Sequence, residues 1–125
     1  MREIIFRGKP EDGGWIYDSC IYIDEDYAAI DCIPVDINTV GQFTGFRDCN
    51  GVGIYEGDIV RLYVGNDRDS FENDEVVFDK GCWVLKRLDL INGNDRKFLY
   101  VKVAFPANIE VIGNVHDNPE FVKGE

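Results

Sequence analysis

The chain has a single histidine, a single methionine, four prolines and four cysteines in 125 residues. With His116 as the sole imidazole, the commonest general base and the usual partner of a nucleophile are in short supply. The cysteines stand at positions 20, 32, 49 and 82. They are too few and too far apart for a secreted disulfide scaffold, and they lack the close pairs that zinc sites use. Buried or half-buried free thiols in a reducing compartment are expected. No apolar run approaches the ~20 residues that span a bilayer, and Arg2, Glu3, Arg7 and Lys9 interrupt any leader-like apolar start. A cytoplasmic protein with no membrane segment is the expectation.

Positive charge is the other shortage. Lysine and arginine number 13 against 24 acids, for a net charge of −11. A cut after residue 64 leaves 12 acids and 5 bases before it and 12 acids and 8 bases after it, so no basic arm hides behind the average. Phosphate backbones are held by several lysines and arginines, and direct nucleic-acid binding is disfavoured. What the chain does have is 45% hydrophobic residues, 16 aromatics (8 Phe, 6 Tyr and 2 Trp) and 13 glycines. That is core material and turn material for one cooperative globular unit.

Long helical periodicity is absent, and strand signals dominate. Ile4-Ile-Phe6 and Trp15-Ile-Tyr17 flank a turn cluster, Arg7 to Gly14, and read as an N-terminal hairpin whose second run continues through Ile21-Tyr-Ile23. Asp24-Glu-Asp26 ends it. Tyr27 to Ile33 fits a strand or an irregular segment better than a helix, because Pro34 stops any helix there. Thr39 to Phe46 reads as an edge strand, and Asn50-Gly51 as a tight reversal. Beyond Asp58 the pattern is a meander: a strand from Ile59 to Val64, a polar loop from Gly65 to Asp74, strands from Glu75 and from Cys82, a hairpin turn at Asn92-Gly-Asn-Asp95, a return strand over Lys97 to Phe105, and a last strand at Ile109 to Ile112.

Three motif blocks, a start in two parts, a core and a closing pair, stand in order along the chain. They are Met1-Arg-Glu-Ile-Ile-Phe-Arg-Gly-Lys9, Trp15-Ile-Tyr17, Tyr55-Glu-Gly-Asp-Ile-Val60, Glu110-Val-Ile-Gly-Asn-Val115 and Asn118-Pro-Glu120. In these blocks, and in the glycine- and aromatic-dense stretch Thr39 to Val60, the chain resembles the YopX-like proteins of bacteriophages and prophages of Gram-positive bacteria. It departs from the family pattern at Asp36-Ile37 and at Val52-Gly53. The resemblance implies a mainly β protein with an N-terminal β-hairpin region over residues 1–53, a small SH3-like barrel over 54–116 and a tail over 117–125. It implies no activity, since the family has none established.

Each local candidate for chemistry has a simpler structural reading. His116 beside Asp117 reads as an exposed turn, with no local feature marking a cysteine as activated. Asp24-Glu-Asp26 begins like a calcium loop, but Ala28, Ala29 and Val35 occupy positions where ligands or the required glycine belong. The acidic stretch 66–75 reads as a solvated loop with at most weak affinity for a divalent ion. Gly51-Val-Gly53 lacks the lysine and helix of a phosphate loop. Gly57 is expected to permit a bend, with Asp58 bonding backbone amides. Arg96-Lys-Phe-Leu-Tyr-Val-Lys102 interleaves bases and aromatics as single-strand binders do, yet aromatic burial explains it better. No catalytic residue, cofactor or metal is therefore assigned. The expected function is a non-enzymatic, self-associating protein-interaction module whose partner is a host or phage protein. The alternatives are a metal-dependent hydrolase or nucleotide-processing enzyme using dispersed acids, and a nucleic-acid-binding barrel.

Overall fold

The computed structural model describes residues 3–64, 67–87, 98–99 and 109–120, and the chain divides into two compact units, Met1–Gly45 and Phe46–Glu125. Both are built from antiparallel strands.

The first unit holds β1 (Phe6–Lys9), β2 (Ile16–Asp18), β3 (Ile21–Asp24), β4 (Tyr27–Ile30) and most of β5 (Ile33–Arg47). Their order across the sheet is β2-β1-β5-β4-β3. β1 and β2 form the expected hairpin, with Gly8 opposite Ile16. The second run then breaks sooner than the sequence suggests. Cys20 donates its amide to Asp18 Oδ1 at 2.9 Å, a side-chain bond that turns the backbone out of the ladder, and Ile21 starts a separate strand at the opposite edge. The ambiguous segment Tyr27–Ile30 is a strand paired on both sides. Asp31 and Cys32 then reverse the chain with φ of 51° and 64°, the left-handed pair of a tight hairpin turn.

β5 lies between β1 and β4 in the strand order, but with different parts of its length: Ile33–Val35 pairs with β4, and Asp36, Gly41 and Gln42 pair with β1. Opposite β1 it carries a bulge: Arg7 faces Gly41 while Lys9 faces Asp36. Thr39 repairs the ladder there, its hydroxyl accepting the Lys9 amide at 2.9 Å and donating to the Asp36 carbonyl at 2.6 Å. Close packing fixes Gly8, where an added Cβ would lie 2.8 Å from Val35 Cγ2 and 3.0 Å from Ile30 Cδ1.

The second unit holds β6 (Gly53–Tyr55), β7 (Asp58–Val64), β8 (Asp67–Asp79), β9 (Cys82–Arg87), β10 (Phe98–Leu99) and β11 (Ile109–Asn114). Its sheet runs β10-β9-β8-β7-β11. Among the described residues this is an open path, with no ladder joining β10 to β11. Of the segment 65–74 anticipated as a polar loop, residues 67–74 are strand: β8 begins at Asp67 and pairs with β7 there and from Phe71 to Glu75, with a register shift between. β7 pairs with this segment and β9 joins only from Asp74 onward, so backbone pairing overrides the weak strand preference of polar residues. The Asn92 to Asp95 turn and most of the 97–105 strand lie outside the described residues. The part that is described, β10, pairs antiparallel with β9.

Alternation builds the core of the second unit. Val60 on β7, Val76 on β8, Leu85 on β9 and Ile109 on β11 cluster with Ile54, and Leu62, Trp83 and Val111 pack against them. Full burial of each such aliphatic chain contributes about 1.5–3 kcal/mol.

Candidate functional site

Buried polar groups come first, because each must be matched by a partner or used. Asp48 is 3% exposed. Its Oδ1 accepts the amides of Asn50 and Val52, each at 2.8 Å, and its Oδ2 accepts the amide of Val111 at 2.9 Å. The turn is completed by Gly51, φ 84°, whose amide reaches the Asp48 carbonyl at 3.0 Å. Asp58 acts in the same way. Its Oδ2 accepts the Tyr55 amide at 2.7 Å across the bend in which Gly57 has φ 92°, as expected for the Glu-Gly-Asp turn.

Asn114 organises the last turn. Its Oδ1 accepts the amides of His116 at 3.0 Å and Asp117 at 2.8 Å, while its Nδ2 donates to Asp117 Oδ2 at 3.1 Å. Asn118 closes the loop by accepting the Asn114 amide at 3.2 Å through Oδ1 and returning its own amide to the Asn114 carbonyl at 2.9 Å. His116 is thus half-buried in a turn, less open than anticipated. Its backbone and the Asp117 carboxylate serve the geometry of the turn.

The thiols are free, but their placement differs from expectation. Cys20, Cys32 and Cys82 are exposed, and Cys49 is half-buried. Turn and strand-end positions explain this: Cys32 sits in the β4–β5 turn, Cys20 at a strand start and Cys82 at the first residue of β9. Among the described residues no three His, Cys, Asp or Glu side chains gather so as to hold a metal ion. The stretch 67–75 belongs to strand β8. Asp24 ends β3 and Asp26 is in the β3–β4 turn, and Gly51 and Gly53 belong to the Asp48 turn and to β6. Of the Arg96 to Lys102 segment, only the backbone of Phe98 and Leu99 is described.

One ionisable group stands apart. Asp74, 0% exposed, lies opposite Val60 on β7, on the face that carries Val76. Desolvation raises its pKa from 3.8 to about 6. Strand alternation with Val76 was the available signal, but the expectation of a loop concealed it. Asp48 was likewise readable from Asp48-Cys-Asn-Gly51, in which the first residue of an Asn-Gly reversal can bond back to the turn amides.

Two further groups of contacts lie in the first unit. Tyr22 and Tyr27 meet edge to face, with centroids 6.1 Å apart and ring planes at 61°, and Tyr22 Oη lies 3.5 Å from Asp24 Oδ2. On β1 the Arg7 guanidinium lies 4.5 Å from the Trp15 ring centre and Lys9 Nζ lies 5.8 Å from it, a shared cation–π contact. No described helix is long and apolar enough to cross a membrane.

Comparison with known proteins agrees with this architecture. The crystal structure of protein EF1440 from Enterococcus faecalis is similar over 98% of this chain and 99% of its own, with a TM-score of 0.54 at 20% sequence identity, a likeness of fold. No curated protein matches the chain significantly. The family model described as YopX protein matches residues 7–123, which takes in Trp15-Ile-Tyr17, the Asp58 bend and the Asn114 turn: the chain belongs to the YopX family.

Proposed function

We propose that this protein is a non-enzymatic protein-interaction module of phage or prophage origin, working in the cytoplasm of a bacterial host, that self-associates and binds a host or phage protein. The observation that carries the reading is the character of the two edges of the first unit's sheet. β2 presents Tyr17, 51% exposed, and β3 presents Tyr22 and Ile23, 58% and 55% exposed. Edge strands carry a row of backbone donors and acceptors ready for another strand, and natural sheets usually blunt them with lysine, proline or a bulge. Ile16-Tyr-Asp18 and Ile21-Tyr-Ile-Asp24 contain no lysine or proline, which suits strand addition by a partner. The motif blocks shared with phage and prophage proteins support the origin.

Self-association is assigned to β2, since the turn beside β3 carries three acids in a row, Asp24-Glu-Asp26, that repel their own copy. Sedimentation velocity across a concentration series tests it. The expected result is a reversible dimer that Tyr17→Lys returns to monomer without loss of thermal stability. A strict monomer at every concentration would remove self-association from the proposal.

A further inference from the structure

Resting on the interaction-module reading, we infer that the β3–β4 hairpin is a docking surface for a cationic segment of another protein. Three independent features of the hairpin converge on that occupant.

The first is local geometry. Asp24 is opposite Tyr27 and Tyr22 is opposite Ala29, and residues two apart on a strand share a face, so Tyr22, Asp24 and Tyr27 stand on one side of the hairpin. The two rings are already packed edge to face, with a carboxylate against one hydroxyl. Aromatic faces beside a carboxylate form a receptor for guanidinium or ammonium, combining cation–π attraction with a charge-assisted hydrogen bond. All three side chains, and Glu25 and Asp26 at the tip, are exposed.

The second is the charge of the surroundings. Residues 10–46 hold eight acids and no lysine or arginine. The bases on this sheet's strands are Arg7 and Lys9 on β1, both over the Trp15 ring and separated from β3 by β5 and β4, and Arg47 at the last residue of β5, whose opposite end, Ile33–Val35, is the part that pairs with β4. No base therefore stands on β3 or β4 to cancel the hairpin's negative field. This charge favours a basic partner, disfavours a second copy of the same hairpin and repels a nucleic-acid backbone.

The third is topology. β3 is the outermost strand, so an extended segment can hydrogen-bond to its backbone while basic side chains reach the tyrosines and carboxylates, and Ile23 on the opposite face offers apolar contact.

The test uses the full-length protein and three capped hexapeptides, Arg-Val, Glu-Val and Thr-Val repeats, followed by amide chemical shifts. The arginine peptide is expected to shift the amides of Ile21–Ile30 and to bind at least about tenfold more weakly when salt rises from about 50 to about 500 mM. The glutamate peptide should leave them unmoved. Tyr22→Ala, and separately the triple change Asp24→Asn, Glu25→Gln and Asp26→Asn, should each weaken the arginine peptide about tenfold while the unfolding transition stays in place, because these side chains are exposed. An unmoved hairpin with the arginine peptide overturns the inference. If the threonine peptide binds the same edge equally well and without salt dependence, the cationic assignment falls while the interaction-module reading stands. If no peptide moves any amide of β2 or β3 and the protein sediments as a monomer, both fall.

Discussion

Asp48 Oδ2 accepts the amide of Val111 at 2.9 Å across a sequence separation of 63 residues, binding the turn that opens the second unit to the strand that ends its sheet. Nearby, Cys49 donates its amide to the Ile109 carbonyl at 3.0 Å, and Glu110 Oε1 receives the Tyr63 hydroxyl at 2.7 Å. One buried carboxylate thus shapes a local turn and fixes a long-range register at once.

Asp48→Ala should therefore be costly. It removes three bonds to a carboxylate and leaves backbone amides without their acceptor, a loss of about 2–4 kcal/mol. Asp48→Asn keeps one acceptor oxygen but faces a backbone N–H with a donor, and should lose about half as much. Urea unfolding of the two variants measures both, and an Asp48→Ala variant as stable as the parent would show that the turn does not depend on this side chain.

Gly113 abuts Asn118 so closely that an added Cβ would collide with the Asn118 carboxamide. Gly113→Ala is expected to cost about 1–3 kcal/mol through that overlap. In an Asn118→Ala background the clash is gone, so the same change should cost much less. Thermal unfolding of the double-mutant cycle reads the coupling, and strict additivity would contradict the contact.

Asp74 makes stability depend on pH. Its folded pKa of about 6 lies above the ordinary 3.8, so the native state holds this proton more tightly than the unfolded chain. The cost of ionising it is absent below about pH 3.8, grows as pH rises and is complete above about pH 6. Asp74→Asn should gain on the order of 1–2 kcal/mol at pH 8, after allowing for relaxation around the charge, and close to nothing at pH 3.5. Denaturation at the two pH values checks the sign, and an equal effect at both would exclude ionisation as the cause.

The thiols give a rapid test of placement. In the native protein a thiol reagent should modify Cys20, Cys32 and Cys82 quickly, as exposed groups. Half-buried Cys49 should lag, becoming equally reactive only in denaturant. Mass mapping of the labelled peptides identifies them.

Much of the fold was legible because it is local. Asn50-Gly51 and Glu56-Gly-Asp58 name their own turns, since glycine takes up positive φ and aspartate bonds nearby amides. Strand type followed from the β-branched and aromatic runs at Ile59–Val64 and Ile109–Ile112. What failed to show was long-range. Residues 67–73 carry loop-like polarity and yet belong to a strand that pairs with β7, and nothing local tells a polar strand with a neighbour from a polar loop without one. Cys32 was expected to be buried or half-buried, whereas its turn position exposes it. On the candidate surface, the acids of Asp24-Glu-Asp26 were visible, but the approach of Tyr22 to Tyr27 needed the hairpin register.

The amino-acid order alone determined the family, the β class, the charge balance and the tight turns, because these depend on composition and on side chains acting within a few residues. Tertiary structure decided that β5 lies between β1 and β4, that β3 lies at an edge, that Asp74 sits inside the second unit and that Asp48 meets Val111. Those outcomes depend on which distant strands pair, and a backbone hydrogen bond between strands leaves no mark on the identity of the residues it joins.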